Sequence, residues 1–213
     1  MLEKTKTNTA LPRPLAEAPP QLVLASTSRY RRALLERLGI PFTAVAPATE
    51  EAALPGERPR DTALRLAEAK ARSVAAAHPT ALIIGSDQVA ECDGQPIGKP
   101  GHHEAAVAML TALSGRTVVF HTGLALLDAT RGRCATVMVD VRSTFRGLSA
   151  AEIHLYLARE QPYDCAGAVK SEGLGIALFE SIASDDPTAL IGLPLIRLTS
   201  MLREAGLSVL APT

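Results

Sequence analysis

The chain has 213 residues, with 22 basic side chains against 22 acidic ones and 47% hydrophobic residues. A length of this order buries roughly 70% of the unfolded surface in one α/β domain or two closely joined lobes. A formal charge of zero excludes a broad duplex-binding face, which depends on many neutralised phosphates, and no apolar run approaches the roughly 20 residues that span a bilayer.

In chain order, Met1 to Pro20 is polar and then proline-rich with no apolar h-region, and reads as a disordered leader, not a secretory signal. A cytoplasmic protein is therefore expected, with no membrane and no nucleic acid among its partners. Leu22 to Ala25 reads as a short buried strand. The hydroxyl-rich turn Ser26-Thr27-Ser28 follows, then a helix over Tyr30 to Leu38 with Ser28 as N-cap and Gly39 as its stop. Small hydroxyls and free N–H groups at a helix start form an anion site, and Arg31 and Arg32 stand ready to complete a phosphate cradle. A phosphate has no use for an aromatic ring, so Tyr30 points to a flat, cationic group held beside the anion.

Pro41 to Ala46 resembles a second strand, and the apolar spacing of Ala63, Leu64, Ala67, Ala71 and Val74 predicts a helix over about Arg60 to Ala77 that carries Lys70. Leu82-Ile83-Ile84 reads as a buried strand stopping at Gly85-Ser86-Asp87-Gln88. Asp93-Gly94 marks a turn before Ile97-Gly98-Lys99-Pro100, and a helix runs from about Glu104 to Leu113. Thr117 to Leu127 and Ala135 to Phe145 predict a long antiparallel hairpin. Ser149 and Glu152 form a capping box for a helix to about Arg159. Gly167, Gly173 and Gly175 flank the irregular segment Lys170-Ser171-Glu172, Ile176 to Phe179 is strand-like, and Pro194 opens a last helix to Ala205. This alternation implies an α/β fold, a mixed twisted sheet covered by helices with polar strand ends gathered in a cleft.

Asp87 follows an apolar strand and a glycine, a place where a carboxylate enters a crevice as a general base or metal bridge; a turn aspartate capping its own loop is the competing reading. Lys70, Lys99 and the arginines of the first turn surround that acid with the positive charge a triphosphate requires. Of the neighbours Glu50 and Glu51 only one should face the cleft, and Glu51 with Asp87 would suit a hard divalent cation. A solvated acidic loop is the plain alternative there, and the wet face of an alanine-rich helix is the plain alternative for Lys70. His102 and His103 read as a surface turn. Cys92, Cys134 and Cys165 are widely spaced with no C-x-x-C, so reduced, packed thiols are expected. No Walker A, G-x-G-x-x-G or G-x-S-x-G stands in the chain.

Taken in one order, Ser26-Thr27-Ser28 with Arg31-Arg32, Glu50-Glu51, Lys70, Gly85-Ser86-Asp87-Gln88, Gly98-Lys99-Pro100, Cys165-Ala166-Gly167, Lys170-Ser171-Glu172-Gly173 and Gly192-Leu193-Pro194 resemble the Maf family of nucleotide pyrophosphatases. The resemblance implies a single domain over residues 21–210 with the elongated Maf/ITPase-like fold and a central cleft. It also implies hydrolysis of a nucleoside triphosphate to monophosphate and pyrophosphate with a divalent cation, Mg²⁺ or Mn²⁺, and a homodimer as a further expectation. By position, Asp87 matches the proton acceptor, Ser26, Ser28, Arg31, Lys70, Lys99 and Lys170 match the phosphate and substrate pocket, and Glu51 matches the metal carboxylate. Arg29 stands where members often have proline, and Glu50 where aspartate is usual.

Three positions resemble the branch acting on 7-methyl-GTP: Tyr30, Gln88 and Glu172. Methylation at N7 makes guanine cationic, which favours an aromatic face, and a glutamate accepts from N1–H and the 2-amino group. Tyrosine, where that branch often has tryptophan, stacks less strongly. The alternatives are a pyrophosphatase for dTTP, UTP or another nucleotide, and a non-catalytic nucleotide sensor in septum control.

Overall fold

In a computed structural model the protein is described over residues 20–210, so the expected leader, apart from Pro20, lies outside the described residues. Strand β1 (Leu22–Ala25) is buried along its whole length. It turns through Ser26 to Ser28 into α1 (Arg29–Glu36), where the Ser28 hydroxyl accepts from the Arg31 amide as the expected N-cap. After β2 (Thr43–Val45) comes α2 (Pro59–Ser73), followed by β3 (Leu82–Cys92), β4 (Gln95–Ile97) and α3 (His103–Leu113). The chain continues with β5 (Thr117–Asp128), β6 (Arg133–Phe145), α4 (Ala150–Glu160), β7 (Phe179–Ala183) and α5 (Leu195–Glu204). The capping box at α4 forms as its sequence requires, with Ser149 and Glu152 each serving the other's backbone.

The strands make one seven-stranded mixed sheet in the order β2-β1-β3-β5-β6-β7, with β4 attached to β3. β1 runs parallel to β2 and β3, and the other pairings are antiparallel. One face of the β1–β3–β5 half packs on α2 through Ala67 and Ala71, and the opposite face packs on α1 and α5 through Leu34, Leu35, Leu198 and Leu202. The other half is closed by α3 and α4, with Leu110, Ile153 and Leu157 against Phe120 and Phe145. The α/β reading of the sequence stands.

Three local expectations fail. The strand expected to stop at Gly85 continues to Cys92, because β5 pairs with it residue for residue from Leu82 to Glu91; turn-forming residue types are overridden by a partner strand far along the chain. Leu174–Leu178 forms tight helical turns, and the strand begins only at Phe179. The surface turn expected at His102-His103 is instead the start of α3: His102 accepts from the Ala105 amide as the N-cap, and His103 stacks on His154.

β3 has an unusual edge. The side facing away from β5 is shared by β1, which pairs with Leu82 to Ile84, and by β4, which pairs with Ala90 to Cys92. Gly85 to Val89 therefore has no strand beside it on that side among the described residues, and the sheet opens there. The tight β3–β4 hairpin that borders this opening turns through Asp93 and Gly94 with φ of 50° and 78°, the positive pair that a two-residue hairpin favours.

Helix α2 lies unusually close to the sheet. A Cβ on Gly85 would stand 2.0 Å from the Ala67 carbonyl oxygen, and one on Gly123 would stand 2.4 Å from that of Ala63. Glycines on the strands and alanines on the helix let the two backbones touch. Gly85→Ala is expected to lower stability by at least about 1–3 kcal/mol through overpacking, read as a fall in the urea midpoint; a midpoint equal to the wild type would show that α2 is free to move away.

Candidate active site

The opening beside β3 is a cavity of about 720 Å³. Its wall takes Ser26, Thr27 and Ser28 from the first turn, Arg31 from α1, Glu51 from the loop after β2, Lys70 from α2, Asp87 from β3 and Lys99 from the segment after β4. The sequence-predicted residues thus converge, although they are scattered over more than a third of the chain.

The centre is a charge cluster around a buried lysine and aspartate, with Glu51 at its exposed side. Lys70 Nζ donates to Asp87 Oδ1 at 2.6 Å and lies 2.6 Å from Glu51 Oε1, while Lys70 is 4% and Asp87 8% exposed. A buried ammonium costs several kcal/mol unless it is paired, and here two carboxylates pair it. It also sits in the last turn of α2, where the helix dipole favours a cation. Asp87 Oδ2 accepts no hydrogen bond among the described residues. Hydrogen bonding to Lys70 holds the Glu51 carboxyl below its ordinary range, with Lys70, Lys99 and Arg31 adding electrostatic attraction.

The phosphate side is built by constraint. Ser26 Oγ accepts from the Ser28 amide at 3.1 Å, and Ser28 Oγ caps α1, so both hydroxyl hydrogens remain for an anion. Arg31 Nε donates to the Gly192 carbonyl at 2.8 Å. Burial pulls the Arg31 guanidinium below its ordinary value while Asp87 and Glu51 oppose that. Ser86 Oγ lies 2.9 Å from the same Gly192 carbonyl and from that of Gly123. Gly192, at φ 117°, is left-handed and abuts Arg31.

Tyr30, Gln88 and Glu172 line the same cavity as Asp87. Gln88 Nε2 is committed to Thr122 Oγ1 and to the carbonyls of Ala189 and Leu190 at 2.8–3.1 Å. Its amide therefore fastens the turn at residues 187–191, and its carboxamide oxygen is what remains for a ligand. Burial pushes the Tyr30 phenol well above its ordinary value, and the Cys165 thiol beside it up to about 11, so both stay protonated at neutral pH. Lys170 is not among the lining residues, and its ammonium sits 2.6 Å from Glu160 Oε1. Glu160 also accepts from the Leu174 amide at 2.7 Å, so the Lys170–Glu160 pair fastens the loop that carries Glu172.

Pattern reading missed Asp164, whose carboxylate meets Tyr30 and Arg29 at the cavity wall; nothing in its immediate sequence distinguishes it from a loop aspartate. The His121 side chain lies between Glu91 and Asp140 at 3.1 and 2.8 Å, away from the cavity lining.

No group of three or more His, Cys, Asp and Glu side chains suited to hold a metal ion occurs among the described residues. Asp87 and Glu51, both within 2.6 Å of one nitrogen, form a partial set. That set fits a hard cation which takes its remaining oxygens from phosphate and water.

The Maf-like protein family model matches residues 21–205 of the chain. Among curated relatives, the 7-methyl-GTP pyrophosphatase of Ralstonia nicotianae is 58% identical over 185 residues, covering 87% of this chain and 95% of that protein. That of Cupriavidus metallidurans is 57% identical over 187 residues, covering 88% and 94%. The protein of the same name from Bordetella pertussis is 56% identical over 192 residues, covering 90% and 96%.

Replacing Lys70 by methionine removes the largest influence on Glu51. A depressed carboxyl pKa contributes stability that is present above the unfolded-state value and lost as pH falls through the folded one. In Lys70→Met the Glu51 pKa is expected to rise toward the ordinary carboxylate range and that acid-side contribution to vanish, followed by carboxyl-carbon NMR titration of wild type and variant. An unmoved Glu51 titration would assign its shift to Lys99 and Arg31 instead.

Proposed function

The chain belongs to the Maf family, and from that membership we propose that it hydrolyses 7-methyl-GTP to 7-methyl-GMP and pyrophosphate, clearing a modified nucleotide from the pool. The observation that carries the reading is the single cavity that holds an oriented carboxylate, several cations and an aromatic residue together. Relatives above half identity that bear the name 7-methyl-GTP pyrophosphatase supply the substrate.

The reaction joins a water oxygen to the α-phosphorus and breaks its bond to the oxygen bridging to the β-phosphorus. Lys70 holds Asp87 Oδ1, which leaves Oδ2 to take the proton of the attacking water. Arg31, Lys99 and Lys70, which line the cavity, take up the negative charge of the departing pyrophosphate, since fixed cations in a partly buried site stabilise such charge strongly. The hydroxyls of Ser26 and Ser28 donate to phosphate oxygens beside the start of α1. A divalent cation bound through Asp87 and Glu51 would neutralise phosphate oxygens.

Tyr30 and Glu172, on the same cavity lining, receive the base. The neutral phenol offers an electron-rich face to a cationic purine, and the Glu172 carboxylate complements its N–H donors. The same reading takes the enzyme to act in the cytoplasm on a small-molecule nucleotide, as one domain spanning residues 21–210 that pairs with a second copy.

Asp87→Asn is expected to bind nucleotide and to lose about 10²- to 10⁴-fold in kcat, the usual span for a general base. The assay is pyrophosphate release across 7-methyl-GTP, GTP, dTTP and UTP. Wild-type turnover in the variant would reassign the base, and a wild type fastest on dTTP or UTP would move the protein to the pyrimidine branch.

A further inference from the structure

At the Tyr30 end of the cavity the Asp164 carboxylate accepts from the Tyr30 hydroxyl at 3.3 Å and from the Arg29 guanidinium at 3.3 Å. The same guanidinium donates to the Tyr30 oxygen at 2.6 Å and lies 4.7 Å from the centroid of its ring. A flat cation with N–H donors is thus held between an aromatic ring and a carboxylate, and all of these residues line the cavity. N7-methylated guanine is a ligand of the same description: planar, positively charged, with N–H donors along one edge. Neutral guanine has the donors and the plane but lacks the charge. The Arg29 side chain is 73% exposed and that of Asp164 53%, so their pair is screened by solvent and parts at little cost. The Cys165 Sγ–H, 3.5 Å from Asp164 Oδ1, stays protonated and brings no competing charge.

We propose that Asp164 is a specificity-determining residue whose carboxylate faces the methylated base beside Tyr30, in the place that the Arg29 guanidinium occupies in this structure. The inference rests on the reading of the substrate as 7-methyl-GTP. In the loaded site Arg29 swings toward solvent, and Asp164 with Glu172 brings two negative charges to the cationic ring. That is a preference for charge, added to the preference for guanine's hydrogen-bonding edge.

The test is steady-state pyrophosphate release by the full chain with 7-methyl-GTP and with GTP, in wild type, Asp164→Asn, Asp164→Glu and Arg29→Ala. The asparagine keeps an acceptor for the Tyr30 hydroxyl and removes the charge. It is expected to lower the ratio of kcat/KM for 7-methyl-GTP over GTP about threefold to fivefold, the scale of one exposed charge pair, and to do so through KM. Asp164→Glu is expected to restore the ratio, and Arg29→Ala to hold or raise it. Two results overturn the proposal: an Asp164→Asn enzyme with the wild-type ratio, or an Arg29→Ala enzyme that loses the ratio as Asp164→Asn does, since Asp164 would then act only as the anchor of Arg29. A wild type that prefers GTP would overturn the substrate reading itself, and is seen before any variant is made.

Discussion

The contact between α2 and the sheet is the constraint from which the site follows. Gly85 and Gly123 offer no side chain to the helix, and Ala63, Ala67 and Ala71 offer almost none, so helix and strand backbones meet directly. At that separation Lys70, one residue before Ala71, delivers its ammonium onto Asp87, two residues beyond Gly85. A bulkier interface would hold the helix further off and leave a buried lysine and a buried aspartate without each other. Each is far more costly alone than paired. The same small residues therefore provide close packing and the orientation of the proposed base.

A second consequence comes from sheet topology. β1 and β4 use the same edge of β3 and leave Gly85 to Val89 between them. Into that opening run the first turn, from the end of β1, and the Gly98-Lys99 segment, from the end of β4. Ligand sites in open α/β sheets favour places where neighbouring strands part, and here the parting lies within one strand's edge. Gln88, Thr122 and Ser86 then fasten the turn at residues 187–192 across the opposite face, so the cavity has a fixed far wall and Gly192 can hold Arg31.

Much of this is legible in the chain. The apolar run, hydroxyl turn and Ser28 cap, the Ser149 capping box and the β5–β6 hairpin each depend on neighbours in sequence, and each forms as its residues suggest. What was not legible depends on distant partners. Gly85 and Asp87 look like turn residues until β5 pairs across them. The pairing of Lys170 with Glu160, from α4, likewise carries no local mark in the sequence. Asp164 carries no local mark, because its meaning comes from Tyr30 and Arg29, more than a hundred residues earlier. For the site as a whole, only the order of many short motifs pointed to one family, since each motif alone has an ordinary structural explanation.

Asp87 is proposed to direct water at the α-phosphorus while the cations hold the departing pyrophosphate. Hydrolysis of 7-methyl-GTP in ¹⁸O-labelled water, with mass spectrometry of both products, tests it most directly. The label is expected in 7-methyl-GMP and none in pyrophosphate. Label in the pyrophosphate would place the attack on the β-phosphorus and contradict the geometry assigned to Asp87, Arg31 and Lys99.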